Sequence, residues 1–235
     1  MTVYTKYMSN TDISLFAKFL EKYSLRKISK GEIIIFQGEE PRSSYVVKSG
    51  VVKAYNLSVN GDEKPVGFET VGSVFPAPWT FHKASSAQYY YEAFSNAELY
   101  IVPRDEYVAF LMANHDVLVN TLEQYVVARL GDTMRLNALQ HSRASEKLVY
   151  TMHYLAVSHG KPTADPQVIE ITLDLTHQDF ANLTGLTRET TATELNKLKT
   201  RKVIFYGKHI PYTIDLRQLN NLLNDQYIAD MQLSL

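Results

Sequence analysis

The chain has 235 residues, a formal net charge of −1 and no cysteine. With 45% hydrophobic and 21% charged residues it has the composition of a globular protein, which excludes a disordered or fibrous chain. The balanced charge excludes indiscriminate coating of nucleic acid, and the lack of cysteine excludes disulfides, thiolate catalysis and Cys-ligated zinc or iron–sulfur centres. Met1–Phe16 lacks a signal-peptide core, and no run approaches about eighteen apolar residues, so we expect a cytoplasmic protein without a membrane span.

The first part of the chain combines one helix with short β-rich runs. Thr11 is the expected N-cap of a helix that extends to about Tyr23. Asn60-Gly61 is a strong hairpin signal, because both residue types tolerate positive φ. The strand candidates are Glu32–Phe36, Tyr45–Val47, Val51–Tyr55, Val66–Phe68 and Ala97–Val102. Many short strands at this spacing predict a sandwich or barrel of about 75 residues.

After Pro103 the pattern becomes helical. A short helix is predicted over Arg104–Ala113, a long one from Asp116 through Leu139, and a further one from about Ala144 to Ser158. Gly131 lies inside the long helix at a cost of roughly 1 kcal/mol relative to Ala, so we expect a packing or functional reason for it. The stretch Gly160–Pro166 is predicted to be a loop.

Two short helices with a glycine turn between them follow. Thr176 is the expected N-cap of the first, with Asp179 completing a capping box, and Gly185 permits the turn. Thr187 is the expected N-cap of the second, which continues to Arg201. The next residues, 202–214, predict a β-hairpin resembling a wing. This spacing is that of a helix-turn-helix, and the alternative is an αα-hairpin with solvated charges.

Charge is distributed unevenly between this segment and the rest. Between Thr176 and His209 there are six Lys or Arg residues and three acidic ones, a net of +3, which leaves −4 for the remainder (18 basic and 22 acidic residues). A basic module on an acidic body suits contact with phosphates, because only the module then attracts DNA.

These residues resemble the Crp–Fnr family of bacterial transcription regulators. The stretch Leu175–Thr190 is similar to the family's helix-turn-helix signature, and Lys30–Glu32, Phe36–Glu39 and Tyr45–Lys53 are similar to its β-roll. The resemblance covers roughly Thr11 to Leu223 in the family's order. It implies an α+β fold with three parts: an N-terminal cyclic-nucleotide-binding-type β-roll sensor (1–113), a long dimerisation helix (114–141) and a C-terminal winged helix-turn-helix DNA-binding domain (142–235).

The resemblance also implies a homodimer on double-stranded DNA with palindromic half-sites, with RNA polymerase as a further partner. Arg188 would contact guanine O6 and N7, Glu189 would accept from cytosine N4, and Thr176 and Gln178 would contact phosphates. The full set of expected DNA-binding residues is Thr176, Gln178, Thr187, Arg188, Glu189, Thr191, Thr193 and Lys197. The expected dimer interface consists of Leu118, Leu122, Tyr125, Val126, Arg129 and Leu136.

Two departures from the family pattern change what it implies. Many members carry a second base-reading Arg where this chain has Thr193, so the preference at one base pair is expected to be altered or relaxed. The cyclic-nucleotide phosphate cassette expects an Arg, and no Arg lies between Lys83 and Arg104. Without a guanidinium there is no bidentate phosphate clamp, so the expected small-molecule effector is not cyclic AMP. No cofactor and no metal site are predicted.

Aromatic residues of the β-roll and Ser86 form the candidate effector pocket, and the resemblance implies that Asp132 and Thr133 of the long helix lie near it. The full set is Phe68, Phe75, Trp79, Ser86, Tyr89, Tyr91, Asp132 and Thr133. The alternative for each aromatic residue is ordinary core packing. Two other functions stay open: an effector-independent constitutive regulator, and a β-roll module that regulates an enzyme or channel. No nucleophile elbow, P-loop or dinucleotide motif indicates catalysis.

Overall fold

The computed structural model describes residues 10–208 and 210–223. The chain divides into two compact units between Gln124 and Tyr125, inside the longest helix. Among the described residues no helix has both the length and the apolar character needed to cross a membrane.

The first unit is built on eight short strands. They are β1 (Leu25–Ile28), β2 (Ile33–Ile35), β3 (Ser44–Ser49), β4 (Val52–Leu57), β5 (Glu63–Glu69), β6 (Val74–Phe75), β7 (Tyr90–Ala93) and β8 (Ala97–Val102). They form two antiparallel four-stranded sheets, in the orders β1-β8-β3-β6 and β2-β7-β4-β5. The β4–β5 hairpin turns at Asn60-Gly61 as predicted, with Gly61 at φ 83°.

Helices come before, between and after these strands along the chain. Helix α1 is Asn10–Leu20, α2 is the single turn Ala77–Thr80, and α3 is Arg104–Ala113. One core cluster joins residues of both sheets, among them Val47, Val52 and Leu99. A second cluster packs α1 and α3 against β3, β6 and β8. Burial of these apolar side chains is the main stabilising term of the unit.

The longest helix, α4, spans His115–Gln140 and crosses from the first unit into the second. The second unit continues with α5 (Ala144–His159) and ends with the short helix α8 (Leu216–Asn220). Its helix-turn-helix consists of α6 (His177–Thr184) and α7 (Arg188–Thr200). Its sheet has the order β11-β12-β10-β9, from β9 (Gly160–Pro162), β10 (Val168–Ile171), β11 (Ile204–Gly207) and β12 (Ile210–Asp215).

The sequence predictions of individual elements need several corrections. Thr11 lies inside α1 rather than capping it, since the helix already includes Asn10. The predicted loop Gly160–Pro166 contains β9, which pairs with β10 through backbone bonds that a local sequence pattern does not reveal. The predicted wing is present as β11 and β12, although His209 at its tip lies outside the described residues.

The cause of Gly131 in α4 is close packing. A Cβ at this position would lie 2.5 Å from the Oγ of Ser158, a residue of α5, and 3.5 Å from the Tyr154 ring. A side chain at this position would require the Ser158 hydroxyl to turn away and would fill the space against Tyr154, which gives a packing reason for the helix-propensity cost of glycine here.

Candidate nucleic-acid interface

The N-terminus of α6 is fixed by the capping box that the sequence predicts. The Asp179 N–H donates to Oγ1 of Thr176 at 3.2 Å, and the Thr176 N–H donates to a carboxylate oxygen of Asp179 at 2.7 Å. Two N–H groups that the helix itself leaves unsatisfied are thereby paired. Gly185 ends α6 at φ 69°, a left-handed conformation that glycine adopts without strain, and so allows the tight turn into the next helix.

Thr187 is the N-cap of helix α7, and its hydroxyl oxygen accepts the N–H of Thr190 at 3.1 Å. Its buried side repeats at spacings of four and three residues and consists of Thr191, Leu195 and Leu198. The same spacing on the opposite side gives an exposed polar stripe. We call the residues Glu189, Thr193, Asn196 and Thr200 the α7 stripe.

The structure brings most of the predicted DNA-binding residues to the surface of this unit. Those with exposed side chains are Thr176, Gln178, Thr187, Arg188, Glu189, Thr193 and Lys197. Thr191 is the exception: it is 0% exposed and faces the core between Leu195 and Leu198, so its side chain cannot reach DNA. The helical phase of those two leucines, four and seven residues on, is the signal that identifies Thr191 as buried.

Several of these exposed side chains are held by neighbours. The Gln178 amide donates to Oδ1 of Asn182 at 2.9 Å, and the Lys197 ammonium lies 2.6 Å from the Glu194 carboxylate. Arg188, in the first turn of α7, lies near His177: desolvation first and the Arg188 charge second lower the pKa of that imidazole. Both effects favour the neutral form of the His177 imidazole.

The wing is joined to both helices by a group of aromatic rings. Tyr206 of β11 stacks on Tyr212 of β12 at a centroid distance of 4.7 Å, and His177 of α6 meets Tyr206 edge-on at 5.6 Å. The Lys199 ammonium lies 4.5 Å from the centre of the Tyr206 ring and donates to its backbone oxygen at 3.0 Å. The Tyr206 hydroxyl donates to Oδ1 of Asn196 at 3.3 Å. Neither Asn196 nor Tyr206 is among the residues that the sequence predicts to contact DNA.

The aromatic residues of the predicted effector pocket separate into two groups. Phe75 and Tyr91 are 0% and 3% exposed and stack on each other at 5.0 Å inside the core of the first unit. Trp79 is 4% exposed and lies beneath the Arg104 guanidinium at 4.5 Å. These three side chains pack as core residues, the alternative considered for them, and the described arrangement does not present them as an open pocket. Phe68, Ser86 and Tyr89 are half-buried.

Two cavities, of about 450 and 750 Å³, share no residue with the predicted effector pocket.

On α4, the two polar residues of that prediction, Asp132 and Thr133, are exposed. The Thr133 hydroxyl donates to the backbone oxygen of Arg129 at 3.0 Å. Desolvation raises the pKa of Asp132, against the lowering effect of Arg129 and Arg135.

Helix α4 exposes large apolar side chains on its surface in a single copy of the chain. Leu122 and Val126 are 60% and 62% exposed, and Leu136 is 53% exposed. Tyr125 and Arg129 are exposed as well, whereas Leu118 is half-buried against the core of the first unit. Five of the six predicted interface residues are therefore available on the surface of the described chain.

Comparison with known proteins identifies both parts of the chain. Residues 25–114 match the cyclic nucleotide-binding domain family, and residues 146–222 match the Crp-like helix-turn-helix domain family. The global nitrogen regulator of Synechococcus elongatus is 28% identical over 186 residues, which cover 78% of this chain and 82% of that protein. The fumarate nitrate reduction regulatory protein of Klebsiella oxytoca is 28% identical over 189 residues, covering 79% of this chain and 73% of that protein.

Solved structures support the same fold. FixK2 from Bradyrhizobium japonicum superposes with a TM-score of 0.67 at 21% identity, covering 86% of this chain and 98% of that one. The c-di-GMP responsive global regulator CLP of Xanthomonas campestris gives 0.65 at 18% identity, covering 85% and 97%. The matched relatives are regulators rather than enzymes. The two family matches, at residues 25–114 and 146–222, and these relatives show that the chain belongs to the Crp–Fnr family of DNA-binding transcription regulators.

Proposed function

We propose that this regulator acts in the cytoplasm as a homodimer that binds palindromic half-sites on double-stranded DNA and thereby affects RNA polymerase. The proposed division of labour is sensing in residues 1–113, dimerisation through 114–141 and DNA binding in 142–235. The observation that carries the proposal is the first turn of α7, where Arg188 and Glu189 are both exposed and Arg188 lies near His177, the first residue of the capped helix α6.

The contacts we assign follow from the side-chain chemistry. Arg188 offers two parallel N–H groups, which match O6 and N7 of guanine in the major groove, and Glu189 offers acceptors for the N4 amino group of cytosine. Thr176, Gln178 and Thr187 lie at the starts of the two helices, where backbone N–H groups and the helix dipole favour phosphate. Lys197 contributes charge to phosphate binding.

Dimerisation is assigned to α4. Regulators of this family act as dimers, and the exposed Leu122 and Val126 would lose their contact with water if two copies of α4 packed together. Burying one such side chain stabilises an interface by about 1.5–3 kcal/mol. Two copies related by a twofold axis would place their α7 helices in successive major grooves, with half-sites about 34 Å apart.

Control is assigned to an effector at the β-roll other than a cyclic nucleotide. Between Lys83 and Arg104 no arginine is available to clamp a cyclic phosphate. Isothermal titration calorimetry with cyclic AMP and cyclic GMP should therefore detect no specific binding. A dissociation constant in the micromolar range for either nucleotide would contradict this assignment.

A second candidate, regulation without any effector, is favoured by the stacked and buried pair Phe75 and Tyr91 in the first unit. The two candidates differ in what purified protein does on its own. Protein unfolded in denaturant, dialysed free of small molecules and refolded should bind its DNA with unchanged affinity if no effector is needed. A loss of affinity that cell extract restores supports the effector.

The DNA-binding proposal is tested by selecting bound duplexes from a random pool with the full-length protein. The expected product is a palindrome whose two half-sites are about one helical turn apart. Selected sequences without twofold symmetry would contradict the homodimer, and the absence of any enriched sequence would contradict specific recognition by this chain.

A further inference from the structure

The α7 stripe contains polar groups that differ in how freely they can bond to DNA. The Thr193 hydroxyl donates to the backbone oxygen of Glu189 at 3.0 Å, and the Thr200 hydroxyl donates to the backbone oxygen of Asn196 at 2.9 Å. A hydroxyl has one proton, so both threonines have already used their donor inside the helix. The Asn196 amide, by contrast, carries two N–H donors and one acceptor oxygen.

The wing fixes the orientation of that amide. The Tyr206 hydroxyl donates to Oδ1 of Asn196 at 3.3 Å, which directs the opposite, N–H-bearing side of the amide away from the wing. Tyr206 is itself held by its stack on Tyr212 at 4.7 Å and by Lys199, whose ammonium lies over its ring and bonds its backbone oxygen. An exposed asparagine on a recognition helix is thus held in one orientation by a rigid neighbour, which is the arrangement that specific readout requires.

We infer that Asn196 is a specificity-determining residue that donates to base acceptors in the major groove, and that Tyr206 of the wing is its positioning residue. The inference rests on the DNA-binding mode proposed above, with α7 in the major groove. Asn196 lies on the same stripe as Glu189 and Thr193, seven and three residues further on. It therefore supplies a donor beyond Thr193, the position at which this chain lacks the arginine of many relatives.

The expected target is a guanine. Its major-groove edge presents two acceptors, N7 and O6, whereas the major-groove edge of cytosine presents a donor at N4. An amide whose oxygen already accepts the Tyr206 proton presents chiefly its N–H groups to the base, so it favours the base with more acceptors. The preferred base should occur once in each half-site.

The test measures affinity of the full-length protein for the selected palindrome and for single-base variants at every half-site position. Asn196→Ala should lower the preference at one position by roughly 5- to 150-fold and leave the preferences at the other positions unchanged. Asn196→Asp keeps an acceptor for the Tyr206 hydroxyl but removes both N–H donors. It should shift the preference at that same position towards cytosine, whose N4 amino group a carboxylate accepts.

Tyr206→Phe removes the hydroxyl and retains the ring. It should weaken the same preference by about 2- to 12-fold, the value of one hydrogen bond, without creating a new preference. Two matched controls should leave the base preferences as they are. Tyr212→Phe removes a hydroxyl from the adjacent stacked ring, and Thr200→Ala removes a stripe hydroxyl that bonds within the helix.

The outcomes separate this inference from the function on which it rests. If Asn196→Ala lowers affinity equally for all sequences, Asn196 contacts phosphate and the inference is wrong. If it changes nothing, Asn196 lies outside the interface and the inference is wrong as well. In both cases specific binding by the unaltered protein persists, so the proposed function stands; loss of specificity in the unaltered protein would instead overturn the proposed function.

Discussion

Arg188 and Lys197 lie on the same recognition helix but are expected to make different kinds of contact. Arg188 is in the first turn of α7, where side chains project towards base edges, and Lys197 is in its last turns beside Glu194. Arg188→Ala should cost roughly 1–3 kcal/mol on the best site and abolish discrimination at one guanine. Lys197→Ala should weaken binding to all sequences alike and reduce the salt slope by about one unit.

Affinities for a panel of single-base variants, each at several salt concentrations, check both statements. If the loss at Arg188→Ala were spread evenly across the panel, Arg188 would be a phosphate contact and its assignment as a base reader would fail. A Lys197→Ala protein with an unchanged salt slope would remove Lys197 from the interface. The two variants act as controls for each other, because they remove the same charge from one helix.

The sequence predicted most of this surface because capping and turn residues act locally. Thr176, Asp179, Gly185 and Thr187 fix their helix ends through bonds to residues at most four positions away. The family resemblance predicts that Thr191 contacts DNA. Its side chain is buried instead, because it lies on the same side of α7 as Leu195 and Leu198. Tyr206 and Asn196 meet across ten residues and two elements, and no local pattern encodes that distance.

Within a single element, the capping box of α6 makes a measurable contribution to stability. Thr176→Ala removes the acceptor for the Asp179 N–H and should lower the free energy of unfolding by about 1 kcal/mol. Gln178→Ala is the matched control, because this exposed side chain bonds only Asn182 within the same helix and should change stability by less than about 0.5 kcal/mol. Denaturant titrations followed by circular dichroism compare the two; equal losses would show that the box contributes nothing specific.

Placing charged side chains on the exposed apolar side of α4 should prevent dimerisation of the chain. Replacing Leu122 and Val126 together by Lys places two ammonium groups in an interface that would otherwise exclude water, a cost that packing cannot offset. The variant should sediment at the 26.8 kDa of one chain and no longer bind palindromic DNA. The double variant Leu122→Met, Val126→Ile keeps the apolar character and should stay dimeric. A lysine variant that remains dimeric would locate the interface elsewhere.

Strands were harder to predict than helices for a physical reason. The helical segments follow from periodicity and capping, which are local, and α3 has the predicted bounds. β1 is exposed at its first three residues, so no pattern of buried side chains indicates a strand there. It forms by pairing with β8, some seventy residues away. β7 contains Tyr91, one of the residues of the predicted effector pocket; pairing with β2 and β4 turns Tyr91 into the core instead.

For the molecule as a whole, a buried histidine is expected to lower stability as the pH falls. His153 in α5 is 4% exposed, and desolvation lowers its pKa from 6.5 to about 4. Above pH 6.5 the imidazole is neutral in both the folded and the unfolded chain, so its contribution to stability is complete. As the pH falls from 6.5 towards 4, the unfolded chain takes up the proton first and is favoured.

This linkage predicts a loss of about 2 kcal/mol from His153 alone between pH 7 and pH 5, and no further loss below pH 4. The pKa of His159 is lowered to about 4 by burial as well, so His153→Gln should remove part of the pH dependence rather than all of it. His115→Gln, at an exposed position at the start of α4, is the matched control for the loss of an imidazole from the chain. Two signals are followed during denaturant unfolding at each pH. Helix content comes from the second unit and from α1 to α4, whereas the fluorescence of Trp79, the single tryptophan, reports the first unit alone. Because His153 belongs to the second unit, its replacement should reduce the pH dependence of the helix signal, and the Trp79 signal shows whether the first unit responds as well. A pH dependence of the helix signal that His153→Gln leaves unchanged would contradict the assignment of this acid-induced loss to the side chain.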